Sequence, residues 1–580
     1  MADLLITGAT VLDGTGAPGF VADVVVDAGR IVAVSTSQSQ LGHDLPTTNP
    51  ANRSPRSDDL PTTASADRSR RSDSALTTNS SNQSRRDDLP TATRTIDATG
   101  LVLCPGFIDM HAHSDLQILA TPDHTAKVSQ GVTLEVLGQD GLSFAPIDDP
   151  TRAALRRQIA GWNGEPDDFD FSWSTVAGYL DRLDQGIACN AAYLVPQGTL
   201  RMMVVGTDNR PATPAELAQM IELLTQALRD GAVGMSSGLT YTPGMFATTD
   251  ELVELCRVVA QHGGYYSPHQ RSYGQGALDA YAEMVEVARR SGCALHLTHA
   301  VMNFGPNQGR GADLIAMIDK ALADGLDVTT DTYPYLPGAT TLAATLPSWT
   351  AEGGPDAQLD RLRDPATRAR IAHEMEQVGS DGCHGCVIEW NTIEIGGVRN
   401  PALGDAVGRT VQDLAARRGR PAADVFFDLL IADDLGTSIL QHVGHEENVQ
   451  TIMQHSSHTG GSDAILVGGK PHPRSWGTFP RYLGRYVREL GVLELADCIH
   501  HLTGRPARRL RLTDRGLVRE GYRADLVLFD PDTIHDTATF DNPRQQAEGI
   551  PYVFVNGVPV IDDGHRTDAL PGRAIRRTDV

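Results

Sequence analysis

Three things are scarce or missing in this 580-residue sequence, and each excludes a class of protein. No run of about 18 or more apolar residues occurs, so we expect no membrane-spanning helix. The N-terminal residues lack a basic segment followed by an apolar one, and we expect no signal peptide. Basic residues are outnumbered by acidic ones, 49 against 73. The resulting net charge of −24 disfavours nucleic acid and anionic membranes as partners.

Cysteine is also sparse, and its seven copies are scattered along the chain. An odd number of widely spaced cysteines argues against a disulfide framework and for a reducing compartment. Cys383 and Cys386 form one CxxC motif, but a structural zinc site needs four ligands and no second pair is present. We therefore expect a cytoplasmic protein whose cysteines do not define its fold.

A low-complexity stretch interrupts an otherwise globular composition. Hydrophobic residues make up 40% of the chain and the mean hydropathy is −0.23, values typical of a folded protein. Residues 36–94, in contrast, contain no Phe, Trp, Tyr, Ile, Val, Met or Cys and repeat the motif DLPT. Such a segment buries too little apolar surface to offset its ordering entropy, so we predict a disordered insertion. Its mixed Arg and Asp charges are typical of a solvated loop.

Residues 105–514 alternate apolar strand patterns with helical patterns. The strands end in Gly, His, Asp or Ser, and the helices carry apolar residues at spacings of three and four. About eight such units in this length predict an α/β fold, a (β/α)8 TIM-like barrel. Residues 345–440 exceed the length of one unit and predict an inserted subdomain.

The two ends of the chain share a different pattern. Residues 1–35, 95–104 and 515–580 consist of short strand-like runs joined by Asp-Gly and Asn-Gly turns. Because these runs resemble one another, we predict that both ends build one small β-sandwich domain beside the barrel.

The strongest chemical signal is a pair of histidines, His111 and His113, in the run CPGFIDMHAHSD. Residues i and i+2 of a strand point to the same face, so both imidazoles face one way. At the C-terminal end of a barrel strand that face is the active site, and two converging imidazoles form half of a metal site. The alternative is a surface strand that happens to carry two histidines.

Three further residues are candidates for the same site. His269 ends the run GGYYSPH and His299 ends CALHLTHA, so both are predicted at strand ends in successive barrel units. Asp463 follows HTGGS late in the chain and is a candidate metal ligand and general base. His296 lies three residues before His299, on the opposite face of the strand, and we interpret it as structural.

Together these motifs resemble the amidohydrolase superfamily and, more narrowly, its N-acyl-D-amino-acid deacylases (D-aminoacylases). The resemblance rests on PGFIDMHAHSD, GAVGMSSGLTYTPGMFATTDELVELCRVVAQHGG, DTYPYLPGATTL, KPHPRSWGTFPRYLGRYVREL and EGYRADLVLFDP. It covers nearly the whole chain outside residues 36–94. The resemblance implies a metal-dependent hydrolase barrel, a small β-sandwich domain, and zinc-dependent hydrolysis of an amide.

The family's site residues map onto positions of this sequence. Its zinc-binding histidines match four histidines here: His111, His113, His269 and His299. Its catalytic aspartate matches Asp463, and the arginine and tyrosine that hold the substrate's α-carboxylate match Arg474, in HPRSWG, and Tyr333, in DTYPY. A bidentate arginine suits a carboxylate. Tyr241, in LTYTPG, is a candidate hydrogen-bond donor in the pocket.

Three positions depart from the family pattern. Asp140 stands where the family has a zinc-binding cysteine. A carboxylate binds zinc or bridges two metals, and it is a harder ligand than a thiolate. Val301 stands where the family has a lysine that assists carboxylate binding, and Gln197 where it has a histidine. All three changes touch the pocket.

We therefore expect a hydrolase of linear amides that converts an N-acyl-D-amino acid and water to a D-amino acid and a carboxylate. One or two zinc ions would be held by six residues: His111, His113, Asp140, His269, His299 and Asp463. The expected partner is a small amide bearing a carboxylate, and the oligomeric state is open.

Two other functions remain open at this point. One is a cyclic-amide hydrolase resembling hydantoinases or dihydroorotases. Those enzymes use a carboxylated barrel lysine, whereas Lys127 precedes the second strand and Lys320 falls in a helix. The other is a non-catalytic binding descendant.

Overall fold

The computed structural model describes residues 1–36, 91–166 and 168–577. The strands of these residues are, in chain order, β1 (Ala2–Val11), β2 (Phe20–Asp27), β3 (Arg30–Thr36), β4 (Ala92–Asp97), β5 (Val102–Pro105), β6 (Phe107–Asp109), β7 (Val132–Leu137), β8 (Asn190–Pro196), β9 (Gly234–Gly238), β10 (Tyr265–His269), β11 (Ala294–Leu297), β12 (Val328–Thr332), β13 (Gly338–Thr341), β14 (Ile393–Gly397), β15 (Ser438–Gln441), β16 (His458–Gly460), β17 (Leu526–Phe529), β18 (Tyr552–Val555), β19 (Val558–Asp562) and β20 (His565–Arg566).

Helices connect most of these strands. The α-helices span Gln117–Ala120, Thr125–Val128, Asp149–Gln158, Ala160–Asn163, Val176–Leu183, Gln197–Val204, Pro214–Arg229, Thr249–Gln261, Ala277–Ser291, Gly311–Ala323, Gly354–Arg363, Pro365–His373, Val411–Arg418, Ala422–Ala432, Glu446–Met453, Arg474–Arg481, Leu495–Leu502 and Gly504–Arg509. Short 3-10 helices span Gly244–Phe246, Gly305–Asn307, Leu342–Thr345, Ser348–Ala351, Trp390–Thr392 and Pro401–Ala406, and π-helices span Glu374–Val378 and Tyr482–Glu489.

Eight parallel strands form the central barrel, in the order β6-β7-β8-β9-β10-β11-β12-β16. Backbone hydrogen bonds join its first and last strands beyond their ends. The Asp463 N–H donates to the His111 carbonyl at 2.8 Å, and the His113 N–H donates to the Ala464 carbonyl at 3.0 Å. The predicted α/β barrel is confirmed.

The local sequence explains why the barrel elements form. All seven residues of β8 are buried, as expected for a strand covered on both faces. The helix Pro214–Arg229 begins with a capping box in which Thr213 and Glu216 each bind the other's backbone N–H. It then buries Met220, Leu224 and Leu228, spaced four residues apart, against the strands.

Both ends of the chain meet in one nine-stranded sheet. Its order is β20-β19-β18-β17-β5-β1-β2-β3, with β4 pairing with β1. Strand β5, which leads into the barrel, pairs parallel with β1 and antiparallel with β17. The terminal β-domain is therefore continuous with the first barrel strand.

The ends of the predicted insertion are ordered as strands, which corrects its boundaries. Thr36 ends β3, and Ala92–Asp97 forms β4, so Thr36 and Arg94 do not belong to a disordered segment. Backbone pairing with β1 and a bidentate ion pair between Arg94 and Asp562 replace the missing apolar contacts. The remaining predicted insertion, residues 37–90, lies outside the described residues.

The last described residues leave the β-domain, which corrects the predicted range 515–580. The Ile575 N–H donates to the Ala191 carbonyl at 2.8 Å, and the Ala191 N–H donates to the Arg573 carbonyl at 3.1 Å. Arg576 adds an ion pair with Asp184 at 2.6 Å. These backbone bonds place the segment against barrel strand β8 instead of in the terminal sheet.

An additional unit is inserted between β12 and β16. Its sheet has the order β13-β15-β14, and its helices include Gly354–Arg363 and Ala422–Ala432. The unit has a hydrophobic core of its own around Leu362, Phe426 and Leu430. It runs from Gly338 to Gln441, so its sheet begins before the predicted boundary at 345.

Among the described helices, none combines the length and apolarity needed to cross a membrane. The finding agrees with the absence of long apolar runs in the sequence.

A buried charge cluster ties β6 to the loop after β16. Lys127 Nζ lies 2.5 Å from Asp109 Oδ2 and 2.8 Å from Ser462 Oγ. Asp109 Oδ1 accepts hydrogen bonds from the backbone N–H groups of Ser462 at 2.8 Å and His111 at 3.2 Å. Lys127 and Asp109 are both fully buried, so each charge depends on its partner.

We predict that Lys127→Met destabilises the protein by about 3–5 kcal/mol, because it leaves the buried Asp109 carboxylate without its counter-charge. Chemical unfolding followed by circular dichroism measures the change. The matched control is Lys320→Met, since that lysine is 74% exposed and paired only with Asp324 within its own helix region. An unfolding midpoint unchanged in Lys127→Met would refute the role of the buried pair.

Candidate active site and metal centre

The six predicted metal-site residues all lie at or just beyond the C-terminal ends of barrel strands. His111 and His113 follow β6, Asp140 follows β7, and Asp463 follows β16. His269 is the last residue of β10, and His299 lies just beyond β11. The C-terminal ends of parallel barrel strands meet at one mouth, and all six side chains are buried there.

Asp140 occupies the centre of the cluster and approaches all four imidazoles. Its Oδ1 atom lies 3.5 Å from His111 Nε2 and 3.4 Å from His299 Nε2. Its Oδ2 atom lies 3.5 Å from His113 Nε2 and 3.2 Å from His269 Nδ1. One buried carboxylate thus gathers four nitrogen donors supplied by three strands.

Asp463, which follows the last barrel strand, approaches two of these imidazoles. Its Oδ1 atom lies 3.2 Å from His113 Nε2 and 3.7 Å from His111 Nε2. Its Oδ2 atom lies 2.9 Å from Arg474 Nη2. The carboxylate therefore bridges the histidine cluster and a buried guanidinium.

The donor set fits zinc. Two overlapping groups share Asp140: one with His111 and His113, the other with His269 and His299, and the ligand atoms within each group lie within 4.8 Å of one another. Imidazole and carboxylate are the donors of catalytic zinc sites, and a shared carboxylate is compatible with one ion or two.

Neighbouring hydroxyl groups orient two of the imidazoles. His269 Nε2 is 2.7 Å from Thr240 Oγ1, which leaves Nδ1 facing Asp140. His299 Nδ1 is 2.9 Å from the Tyr273 hydroxyl, which leaves Nε2 facing Asp140. Such bonds at the outer nitrogen fix the tautomer and the ring orientation of a metal ligand.

Three of the cluster residues adopt a left-handed backbone. The φ angles are 54° for Asp140, 31° for His299 and 48° for Asp463. This conformation is sparsely populated outside glycine and is typical of functional sites held by their surroundings. Here the Asp331 carboxylate accepts the His299 N–H at 2.7 Å, and the His111 carbonyl accepts the Asp463 N–H at 2.8 Å.

Burial and the two carboxylates shift the pKa values in the cluster in opposite directions. Burial lowers the pKa of His111 to about 3. Burial also acts to lower the pKa of His113, but hydrogen bonds to Asp140 and Asp463 outweigh it and raise that pKa to about 10. Burial acts to raise the pKa of Asp140, but His269 and His111 lower it well below its usual range. The central carboxylate is therefore ionised, as a metal ligand must be.

Arg474 and Tyr333 lie together beside Asp463. Arg474 Cζ lies 4.5 Å from the centre of the Tyr333 ring, and the arginine is fully buried rather than part of a surface ion pair. Its Nε and Nη1 atoms have no hydrogen-bond partner among the described residues. Buried guanidinium donors of this kind fit an incoming carboxylate.

A cavity with about 640 Å³ of empty space opens over the cluster. Asp140, His269, His299, Asp463 and Tyr333 line it. Tyr241 lines it as well, and its hydroxyl lies 3.1 Å from Thr340 Oγ1. Val301 contributes an apolar wall where the resembling family has lysine. Six of the nine predicted site residues thus line this cavity, and the other three, His111, His113 and Arg474, contact Asp140 or Asp463.

Sequence reasoning missed four side chains around this cavity. Thr240 and Tyr273 bind the histidines, Trp162 packs on His113 with ring centroids 5.4 Å apart, and His384 comes from the inserted unit. Tyr273, Trp162 and His384 carry no strand-end signal. Thr240 directly precedes Tyr241, a predicted pocket residue, and this position in the sequence could have indicated that Thr240 is near the site.

His296 lies away from the cluster, as interpreted from its place on β11. Its Nε2 atom is 2.8 Å from Asp331 Oδ2, and its Nδ1 atom is 2.8 Å from Thr329 Oγ1. Both ring nitrogens are thus used within the barrel wall.

We predict that Asp140→Ala lowers the metal content of the purified protein, because all four imidazoles lose their common carboxylate neighbour. Elemental analysis after dialysis measures the metal-to-protein ratio. Asp140→Cys is the matched variant and should retain metal, since a thiolate is also a zinc ligand. An unchanged ratio in Asp140→Ala would contradict a ligand role for this residue.

Known proteins resemble this chain along nearly its whole length. The family model described as "Amidohydrolase family" matches residues 94–561. A D-aminoacylase of Alcaligenes xylosoxydans xylosoxydans is 33% identical over 577 residues, which cover 99% of this chain and 98% of the relative. An N-acyl-D-glutamate deacylase of the same organism is 35% identical over 494 residues, which cover 84% of this chain and 88% of the relative.

A solved structure extends the similarity to three dimensions. It is the N-acyl-D-glutamate deacylase from Bordetella bronchiseptica complexed with zinc and a phosphonate inhibitor, a mimic of the tetrahedral reaction intermediate. The TM-score is 0.77 at 30% identity, and the match covers 99% of this chain and 100% of that chain. With its barrel, its strand-end histidines and its match over residues 94–561, the chain belongs to the amidohydrolase family.

Proposed function

We propose that this protein is a zinc-dependent N-acyl-D-amino-acid deacylase that converts an N-acyl-D-amino acid and water to a D-amino acid and a carboxylate. The observation that most directly supports this function is the buried cluster in which Asp140 approaches four imidazoles. Asp463 contacts both this cluster and Arg474. Full-length similarity to D-aminoacylase and N-acyl-D-glutamate deacylase supports the substrate class and its D configuration.

Five residues would hold one or two zinc ions, with Asp463 as a further ligand: His111, His113, Asp140, His269 and His299. When bound, zinc polarises an amide carbonyl and lowers the pKa of water. The buried surroundings of these residues exclude bulk water and strengthen electrostatic interactions within the site.

Asp463 is the proposed general base. Burial acts to raise its pKa, but Arg474 and the histidines lower it below its usual range, so the carboxylate is ionised and ready to accept a proton. It takes a proton from the attacking water and passes it to the leaving amide nitrogen. Its contact with His113 at 3.2 Å keeps the accepting oxygen beside the cluster.

Arg474 and Tyr333 are proposed to hold the α-carboxylate of the substrate. The unpartnered Nε and Nη1 atoms of Arg474 supply donors, and the Tyr333 ring supports the guanidinium plane. Tyr241 is proposed to donate a hydrogen bond within the same cavity. Val301 leaves Arg474 as the principal cation for this carboxylate, because the lysine of the resembling family is absent.

The cyclic-amide alternative is disfavoured by the position of every lysine. The chain has three lysines. Lys127 is bound to Asp109 and Ser462, Lys320 lies near Asp324 in a helix, and Lys470 lies 2.6 Å from Glu394. Each lysine amine is thus engaged with another side chain, which leaves none of the three placed as a carboxylated bridge between metal ions.

A serine-hydrolase mechanism has a weaker basis. The segment Gly234–Gly238 matches the pattern GxSxG, but it forms strand β9 rather than a strand-to-helix turn. Ser236 Oγ donates to the Gly138 carbonyl and has no histidine as a partner. A non-catalytic role is disfavoured by the intact set of four histidines and two carboxylates.

A cytoplasmic location is part of the proposal. All seven cysteines are free thiols and six of them are buried, which suits a reducing compartment.

We predict that Asp463→Asn retains bound metal but lowers kcat at least about hundredfold, because the amide does not accept the proton of the attacking water. Metal analysis and turnover of N-acetyl-D-methionine, measured on the same preparation, separate the two effects. Full activity in Asp463→Asn would refute the general-base role, and a preparation of native protein without bound zinc would refute the enzyme itself.

We predict that Arg474→Lys lowers kcat/KM for N-acyl-D-amino acids at least about tenfold, because lysine keeps the charge but loses the bidentate fork. The control substrate is the corresponding N-acyl-D-amino-acid amide, which lacks the α-carboxylate. Its kcat/KM should change far less. Equal losses on both substrates would show that Arg474 acts on Asp463 and not on the substrate.

A further inference from the structure

A second cavity adjoins the catalytic one and has no role in the chemistry described above. It holds about 750 Å³ of empty space between the barrel mouth and the inserted unit. We call it the side chamber, defined by six apolar or aromatic residues: Leu142, Trp162, Tyr241, Met245, Leu346 and Leu435.

The walls of the side chamber select for apolar groups. Among the described residues that line it, Arg157 is the one charged side chain. Arg157 is already paired with Asp434 at 2.7 Å and with Asp356 at 2.8 Å, so its charge is compensated outside the chamber. An anionic ligand therefore finds no free cation here, whereas an alkyl or aromatic group finds apolar side chains among uncharged threonine, serine and glutamine residues.

The side chamber adjoins the catalytic cavity. Thr240, Tyr241 and Ala344 line both cavities. The Tyr241 ring lies 4.7 Å from His269 and 4.6 Å from Trp162, measured between ring centroids. Tyr241 thus stands at the boundary between the metal cluster and the chamber.

The order of contacts gives the direction in which a bound amide extends. Arg474 contacts Asp463, Asp463 contacts His113, and the His113 ring packs on Trp162, which lines the side chamber. A substrate whose carboxylate is held at Arg474 and whose amide carbon lies at the cluster therefore has its acyl group on the Trp162 side. That side is the side chamber.

We propose that the side chamber binds the acyl group of the substrate and that the enzyme acts on N-acyl-D-amino acids with long alkyl or aromatic acyl chains. The proposal rests on the proposed deacylase function and extends it to the acyl moiety. Each methylene that is buried against the apolar side chains of the chamber contributes binding energy in addition to that of the carboxylate.

The first test is a chain-length series on the native, zinc-loaded protein. N-acetyl-, N-butanoyl-, N-hexanoyl- and N-octanoyl-D-methionine share one amino acid and differ only in the acyl chain. We expect kcat/KM to rise about fourfold for each methylene that enters the chamber and at least about hundredfold across the series. Equal or falling kcat/KM along the series overturns the proposal.

Two substitutions fill the chamber from opposite walls. Met245→Trp enlarges a half-buried side chain on the barrel side, and Ala351→Phe enlarges one on the inserted unit. Each should lower kcat/KM for the octanoyl substrate at least about tenfold and leave the acetyl substrate within about twofold. Val387→Trp is the control, because that residue is 48% exposed and lines neither cavity.

The outcomes separate this proposal from the proposed function. No hydrolysis of any N-acyl-D-methionine by zinc-loaded protein refutes the deacylase itself. If the protein hydrolyses the acetyl substrate, the deacylase function stands. The acyl site alone is then refuted if the ratio of kcat/KM for the octanoyl and acetyl substrates is the same in the native, Met245→Trp and Ala351→Phe proteins. Two variants are used in case one of them fails to fold. Circular dichroism and metal content show whether each variant is folded.

Discussion

The site depends on one constraint, the placement of a single buried carboxylate among four imidazoles. Asp140 reaches His111, His113, His269 and His299 through its two oxygens, at distances between 3.2 and 3.5 Å. The four imidazoles come from the ends of three parallel strands, so the curvature of the barrel is needed to bring them together. The left-handed backbone of Asp140 turns its side chain inward at that point.

The charge cluster beside the first barrel strand, β6, links this placement to Asp463, the proposed general base. Asp109 binds the backbone of His111 and of Ser462, and Lys127 neutralises it within the core. Ser462 directly precedes Asp463, so one buried ion pair fixes both the histidine strand and the loop that supplies the proposed base. A buried pair of this kind adds little net stability, but its loss is costly. The Lys127–Asp109 pair therefore positions these two segments more than it stabilises the fold.

Site residues can be predicted from the sequence when their positions follow from the two-residue alternation of side chains along a strand. The spacing of His111 and His113, and the strand-end positions of His269, His299 and Asp463, follow from that period and the parallel barrel. Tyr273 and His384 lie in loops and Trp162 lies in a four-residue helix, so tertiary packing alone sets the direction of these side chains. The same limit applies to Ala92–Asp97 and to residues 572–577, which backbone pairing holds in place despite their polar composition.

Asp140 is also the position at which the chain departs most from the family it resembles, and the geometry explains why a carboxylate serves there. A thiolate presents one sulfur to its neighbours, whereas a carboxylate presents two oxygens. Here Oδ1 faces His111 and His299, and Oδ2 faces His113 and His269, so the four imidazoles are divided into two pairs. Each pair has an oxygen of its own, and a harder donor replaces a softer one. The histidines converge on this carboxylate, and as a harder donor than a thiolate it is expected to favour harder cations.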